Sequence, residues 1–123
     1  MTAKRFPKKL RLNHKKIIDR LFAQAQTQFS FPFKLLYLLQ TAPSGFPPAV
    51  LISVPKRRFK KAVDRNRLKR QIRELYRLHK ELLAQPEGTY PVAYLAIVYV
   101  APQKIPYQEM ERKIKQLFTR IRS

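Results

Sequence analysis

Cysteine is absent from this chain, histidine and glycine occur twice each, and only 7 of 123 residues are acidic. Without cysteine there are no disulfides, no thiolate nucleophile and no cysteine-ligated zinc; such a composition suits a reducing compartment and makes the cytoplasm the expected location. His14 and His79 fall on separate predicted helices with no HxxxH or HExxH spacing, so neither reads as a metal ligand or a base. A surface or half-buried histidine is the simpler assignment. Gly45 and Gly88, the only glycines, exclude a glycine-rich phosphate loop. The closest carboxylates, Glu109 and Glu111, would point about 200° apart around a helix. They suit the electrostatics of a helix start rather than acid–base catalysis. A protein-only hydrolase therefore lacks its parts, and no catalytic or metal-binding residue is assigned.

Long apolar runs are missing too. The longest, 92–101, is about half of the roughly 20 residues that span a bilayer, so no membrane partner is expected. The start, "MTAKRFPKKLRLNHKK", is basic but leads into no apolar stretch of the kind a secretory signal needs, and Pro7 interrupts any amphipathic targeting helix there.

What is present is charge of one sign. Lysine and arginine number 27, the formal charge is +20, and 45% of residues are hydrophobic, which is enough for one compact core over residues 1–123. A folded state that tolerates such self-repulsion points to a polyanionic partner.

Apolar spacing outlines the elements. Asn13 is a candidate N-cap for a helix over 14–25, where Ile17, Ile18, Leu21, Phe22 and Ala25 recur at three- and four-residue steps. "FSFPFKLLYLLQ" (29–40) and "AVLISVP" (49–55) read as strands separated by the turn-forming "TAPSGFPP", and are expected to pair as an antiparallel hairpin. Over 62–83, Leu68, Ile72, Leu75, His79 and Leu82 form one stripe of a long helix. "VAYLAIVYV" (92–100) is apolar at both strand parities, as a central strand buried on both faces would be. Pro106 suits the first turn of a last helix with Tyr107, Met110, Ile114, Leu117 and Ile121 on one face. The order is helix, two or three strands, long helix, strand, helix, which predicts an α+β sheet packed by helices.

The segment 56–73 holds Lys56, Arg57, Arg58, Lys60, Lys61, Arg65, Arg67, Lys69, Arg70 and Arg73 against one acid, Asp64. On a helical wheel Arg65, Lys69, Arg73, Lys80, Asn66, Arg77 and Arg70 share an arc of about 140° beside the apolar stripe. A merely solvated face would mix signs as Glu/Lys pairs. A basic ridge instead neutralises phosphates whatever the bases are, and Asn66 adds a neutral donor and acceptor for a base edge or 2′-hydroxyl. Phe22, Phe29, Phe31, Phe33 and Tyr37 offer stacking surfaces for a single strand, although the same side chains suit a core.

At "SVPKRRFKKAVDRNRLKRQIRE" (53–74) the sequence closely resembles the protein subunit of bacterial ribonuclease P. The triplet Arg65-Asn66-Arg67, followed by Lys69-Arg70 and Arg73-Glu74, is similar to that family's RNR motif, and "FPKKLRLNHKKIIDRLF" (6–22) is similar to its start. The resemblance covers nearly the whole chain. It implies the order α-β-β-β-α-β-α with a left-handed βαβ crossover, a fold like domain 2 of ribosomal protein S5, where sequence alone favours a right-handed connection.

It also implies a ribonucleoprotein endonuclease that removes the 5′ leader from precursor tRNA. The catalytic RNA and its Mg²⁺ do the chemistry, and the protein itself binds no cofactor. By position, Arg65, Asn66, Arg67, Lys69, Arg70 and Arg73, with Lys56 and Arg57 at the strand exit, would contact the catalytic RNA, and Arg58, Lys60 and Lys61 extend that surface. A cleft between sheet and motif helix would hold the single-stranded leader against Phe22, Ile18, Leu36 and Tyr37. Two departures stand out: many members carry a glycine in the loop before Ala62-Val63, where this chain has Phe59 and a slightly longer loop, and Ile18 occupies a position that is often aromatic. A ribosomal or ribosome-assembly RNA-binding protein is the alternative of similar charge. A DNA-binding helix-turn-helix regulator fits poorly, because the basic helix follows a strand rather than a short partner helix.

Overall fold

A computed structural model describes residues 15–122. Asn13, the candidate N-cap, and His14 lie outside the described residues. The elements are α1 (Lys15–Gln24), β1 (Gln26–Ser30), β2 (Phe33–Ser44), β3 (Ala49–Ser53), α2 (Ala62–His79), a 3-10 turn (Lys80–Leu83), β4 (Tyr90–Tyr99) and α3 (Tyr107–Arg122). One four-stranded mixed sheet has the order β1-β2-β4-β3.

The expected hairpin between the runs 29–40 and 49–55 does not form. A turn at Phe31 and Pro32 splits the first run, so that β1 and β2 pair antiparallel with each other. Beside β2 lies β4, antiparallel, and β3 pairs parallel to β4 on its far side, from Ala49 opposite Tyr94 to Ser53 opposite Val98. The reason is burial: β4 carries apolar side chains on both faces, and flanking strands satisfy both of its hydrogen-bonding edges while helices cover both faces. The more polar β1, QTQFS, is left at an edge.

Two cores follow from strand alternation. On one face Phe33, Leu35 and Tyr37 of β2, Val50 and Ile52 of β3, and Leu95, Ile97 and Tyr99 of β4 pack with α2 and α3. On the other, Leu36, Leu38 and Ala96 pack with Leu21 of α1, and Ile17, Ile18 and Ala25 close around them. The stripe of α2 is as the spacing predicts: Leu68, Ile72 and Leu75 are buried, joined by Tyr76. His79 is half-buried and its Nε2 lies 2.7 Å from the Glu111 carboxylate, tying α2 to α3. Helix α3 buries Met110, Ile114, Leu117 and Ile121 as expected, together with Phe118.

Candidate nucleic-acid interface

Because α2 uses a narrow arc for packing, most of its circumference remains for charge. Arg67 and Arg70 are exposed and Lys69 is half-exposed. None of their three side chains makes a hydrogen bond or ion pair with any described residue. Arg77 is withdrawn from the expected ridge: it pairs with Glu74, and this hydrogen bond holds the Glu74 carboxyl below the usual carboxylate range. Lys80 turns its ammonium back onto the Arg77 carbonyl at 3.2 Å. Within residues 56–80 the accessible positive charge is thus concentrated towards the start of α2 and the loop before it.

Arg65 differs from its neighbours. It sits about 60° from Leu68 on the wheel, at the border of the buried arc. There it is half-buried, and its Nη1 donates to the carbonyls of Phe59 at 2.8 Å and Lys60 at 3.0 Å. The first arginine of the triplet therefore bonds the chain's own backbone, whereas Arg67 points to solvent.

The loop 54–61 is not slack, although it lacks glycine. Val54 and Phe59 are both buried, and the Phe59 ring lies 5.8 Å from that of Tyr99. Between these anchors the amides of Arg58 and Phe59 donate to the Pro55 carbonyl at 3.2 and 3.4 Å, closing a turn with Lys56, Arg57 and Arg58 exposed at its apex. Lys60 and Lys61 follow, also exposed. Lys61 occupies the N-cap position of α2 without a side-chain cap bond, so a cation stands where Ser or Asp would stabilise the helix. Asp64, the one acid of the run, pairs with Lys104 at 3.2 Å across to the β4–α3 connection. The role of Phe59 escaped the sequence reading, although one aromatic residue among so many cations was a signal for a buried anchor.

The four residues expected to share a leader cleft do not share one. Leu36 and Tyr37 are neighbours in a strand and face opposite sides of the sheet. Tyr37 is buried among the residues that contact α2 and α3, while Leu36 lies under α1 with Ile18 at its border. The cleft is corrected accordingly: α2 packs on the sheet face opposite Ile18 and Leu36, so the surface carrying Ile18 and Phe22 is bounded by α1. Phe22, at the flank of the α1 stripe, is 55% exposed. Phe29 is 57% exposed and points to the same side as Leu36, because Thr27 and Phe29 stand opposite Leu36 and Lys34 across β1 and β2. Half-buried Tyr94 and Val98 of β4 lie on this face too. Of the other candidate aromatics, Phe31 is exposed and Phe33 is fully buried.

Among the described residues no three His, Asp or Glu side chains converge, so this part of the chain offers no ligand set for a divalent ion. No described helix is long and apolar enough to cross a membrane.

These features define a class: a small α+β domain with two cores, a cationic helix start and loop, and an exposed aromatic strip on the opposite face. The family model described as Ribonuclease P matches residues 6–122. The ribonuclease P protein component of Porphyromonas gingivalis is 33% identical over 107 residues, covering 85% of this chain and 77% of that protein. The protein component from Vibrio cholerae is 29% identical over 121 residues, covering 98% and 95%. The solved structure of the RNase P protein from Thermotoga maritima superposes with a TM-score of 0.73 at 19% identity, covering 92% of this chain and 98% of that one. The RNase P protein of Staphylococcus aureus does so with a TM-score of 0.68 at 20% identity, covering 89% and 92%. The chain belongs to the ribonuclease P family, as a protein component of that tRNA-processing endonuclease.

Proposed function

We propose that this chain binds the catalytic RNA of ribonuclease P through the loop and first turns of α2, and holds the single-stranded 5′ leader of precursor tRNA on the α1 side of the sheet. Lys56, Arg57, Arg58, Lys60 and Lys61 of the loop, with Asn66, Arg67, Lys69, Arg70 and Arg73 of the helix, meet RNA phosphates and 2′-hydroxyls. Phe22 and Phe29 stack on leader bases, with Ile18 beside them and Leu36 as the apolar floor. In this reading Mg²⁺ is held by the RNA. The cytoplasm is the compartment in which both RNAs are met. The observation that carries this reading is the set of cations from Lys56 to Arg70, most of them exposed and with unpaired side chains.

Adding the protein to its cognate RNA at low Mg²⁺ is expected to raise the rate of precursor-tRNA cleavage; no change in rate would sink the proposal. Arg67→Ala is expected to weaken RNA binding by about 1 kcal/mol, the scale of one exposed charged contact, with the melting temperature unchanged because the Arg67 side chain is exposed and makes no hydrogen bond or ion pair with a described residue. A lowered melting temperature with intact RNA affinity would instead give Arg67 a structural role.

A further inference from the structure

We propose that Arg57, Arg58 and Pro102 form a preshaped notch for one phosphodiester of folded RNA, and that Arg65 is a positioning residue acting on RNA through this notch rather than by touching it. The inference rests on the RNA-binding reading above and deepens it. Because β3 and β4 are parallel, with Ser53 opposite Val98, the connections that follow them leave the sheet side by side at the same end. Between these connections lies a concavity of about 470 Å³ lined by Arg57, Arg58 and Pro102.

Both walls are tied down. Phe59 buries its ring against Tyr99, and the loop closes its turn on the Pro55 carbonyl. Across the notch, the Tyr99 hydroxyl donates to the Gln103 carbonyl at 2.7 Å, and Lys104 pairs with Asp64 of α2. Three consecutive cations, Lys56 to Arg58, repel one another, so a free loop would splay them apart. The two Nη1 bonds of Arg65, to the Phe59 and Lys60 carbonyls, fasten this loop to the rigid helix. With the loop backbone fixed, the exposed Arg57 and Arg58 present two guanidinium forks from neighbouring positions, and such forks match phosphate oxygens. Phe59 and Arg65 thereby do by burial and hydrogen bonding what a glycine turn would do by backbone conformation.

The test is a double-mutant cycle on equilibrium affinity for the cognate RNA. R57A/R58A and R65A are each expected to weaken binding by about tenfold or more, and the triple variant by no more than about twofold beyond R57A/R58A, because residues acting as one unit are not additive. R65A should also lower the salt dependence of binding by as much as R57A/R58A does, although it removes only one charge. Full multiplication of the two effects, or a salt slope reduced by a single contact, would overturn the proposal and make Arg65 an independent contact. R67A combined with R57A/R58A serves as the additive control. If R57A/R58A and R67A both leave affinity unchanged, it is the RNA-binding reading itself that fails.

Should R65A lower the melting temperature, Phe59→Leu keeps every cation and most of the core volume while loosening the same anchor. It is expected to weaken RNA binding non-additively with R57A/R58A, and undiminished affinity would overturn the proposal.

Discussion

Raising monovalent salt from about 50 to about 200 mM is expected to weaken binding to the cognate RNA by about 10³- to 10⁵-fold, as for a protein that neutralises roughly six to ten phosphates. The physical basis is the state of the cations. A charge already paired within the protein gains little from a phosphate, whereas the side chains of Lys56, Arg57, Arg58, Lys60, Lys61, Arg67, Lys69 and Arg70 make no hydrogen bond or ion pair with any described residue. Each can release a condensed counterion on binding. Arg77 and Arg112, paired with Glu74 and Glu109, are expected to contribute less. Affinity measured over a series of salt concentrations gives the slope directly. A nearly flat titration would show that the interface lies elsewhere, on the aromatic strip of the α1 face.

Removal of Tyr76 is expected to have the largest effect on stability. Its side chain is fully buried where α2 meets α3, edge-on to Phe118 with ring centroids 6.1 Å apart and planes at 85°. Its hydroxyl donates to the Pro48 carbonyl, fastening α2 to the approach of β3. Tyr76→Ala is expected to cost about 3–5 kcal/mol, the range for emptying a large aromatic site in a core. Tyr76→Phe keeps the ring but leaves the Pro48 carbonyl short of a donor, a loss of about 1–3 kcal/mol. Urea unfolding of the two variants separates these contributions; a loss below about 1 kcal/mol for Tyr76→Ala would show that the site collapses without the ring.

Burial also pushes the Tyr76 phenol far above its ordinary value of 10.0. A raised folded-state pKa means that the unfolded chain gives up its proton first. The stabilisation is complete below pH 10, and declines as the pH rises beyond it. Tyr90, Tyr99 and Tyr107 are shifted in the same direction, each chiefly by burial. The alkaline limb of the stability curve should therefore be less steep in Tyr76→Phe than in the unaltered chain.

Much of the fold was legible along the chain. The spacing of Leu68, Ile72 and Leu75 placed α2 and its packing arc, and the two-sided apolar character of 92–100 placed β4 inside the sheet. The opposite faces of Leu36 and Tyr37 were legible too, from strand alternation alone, and placing both in one cleft overrode that rule. The hairpin expectation failed for a different reason. Proximity along the chain favours pairing of neighbouring strands, but β2 and β3 are both drawn to β4, whose two faces and two edges need cover.

By itself the sequence determined the charge this protein carries: abundant fixed positive charge against only 7 acidic residues. It also determined which side of α2 packs and which remains wet, because helical periodicity is a local property. Only the tertiary structure decided which cations are at liberty. Arg65 turns inward to the Phe59 and Lys60 carbonyls, Arg77 closes on Glu74, and Arg57 and Arg58 meet Pro102 from a connection more than forty residues on. Such pairings depend on distances that arise once two parallel strands bring their exits together, and no residue pattern along the chain encodes them.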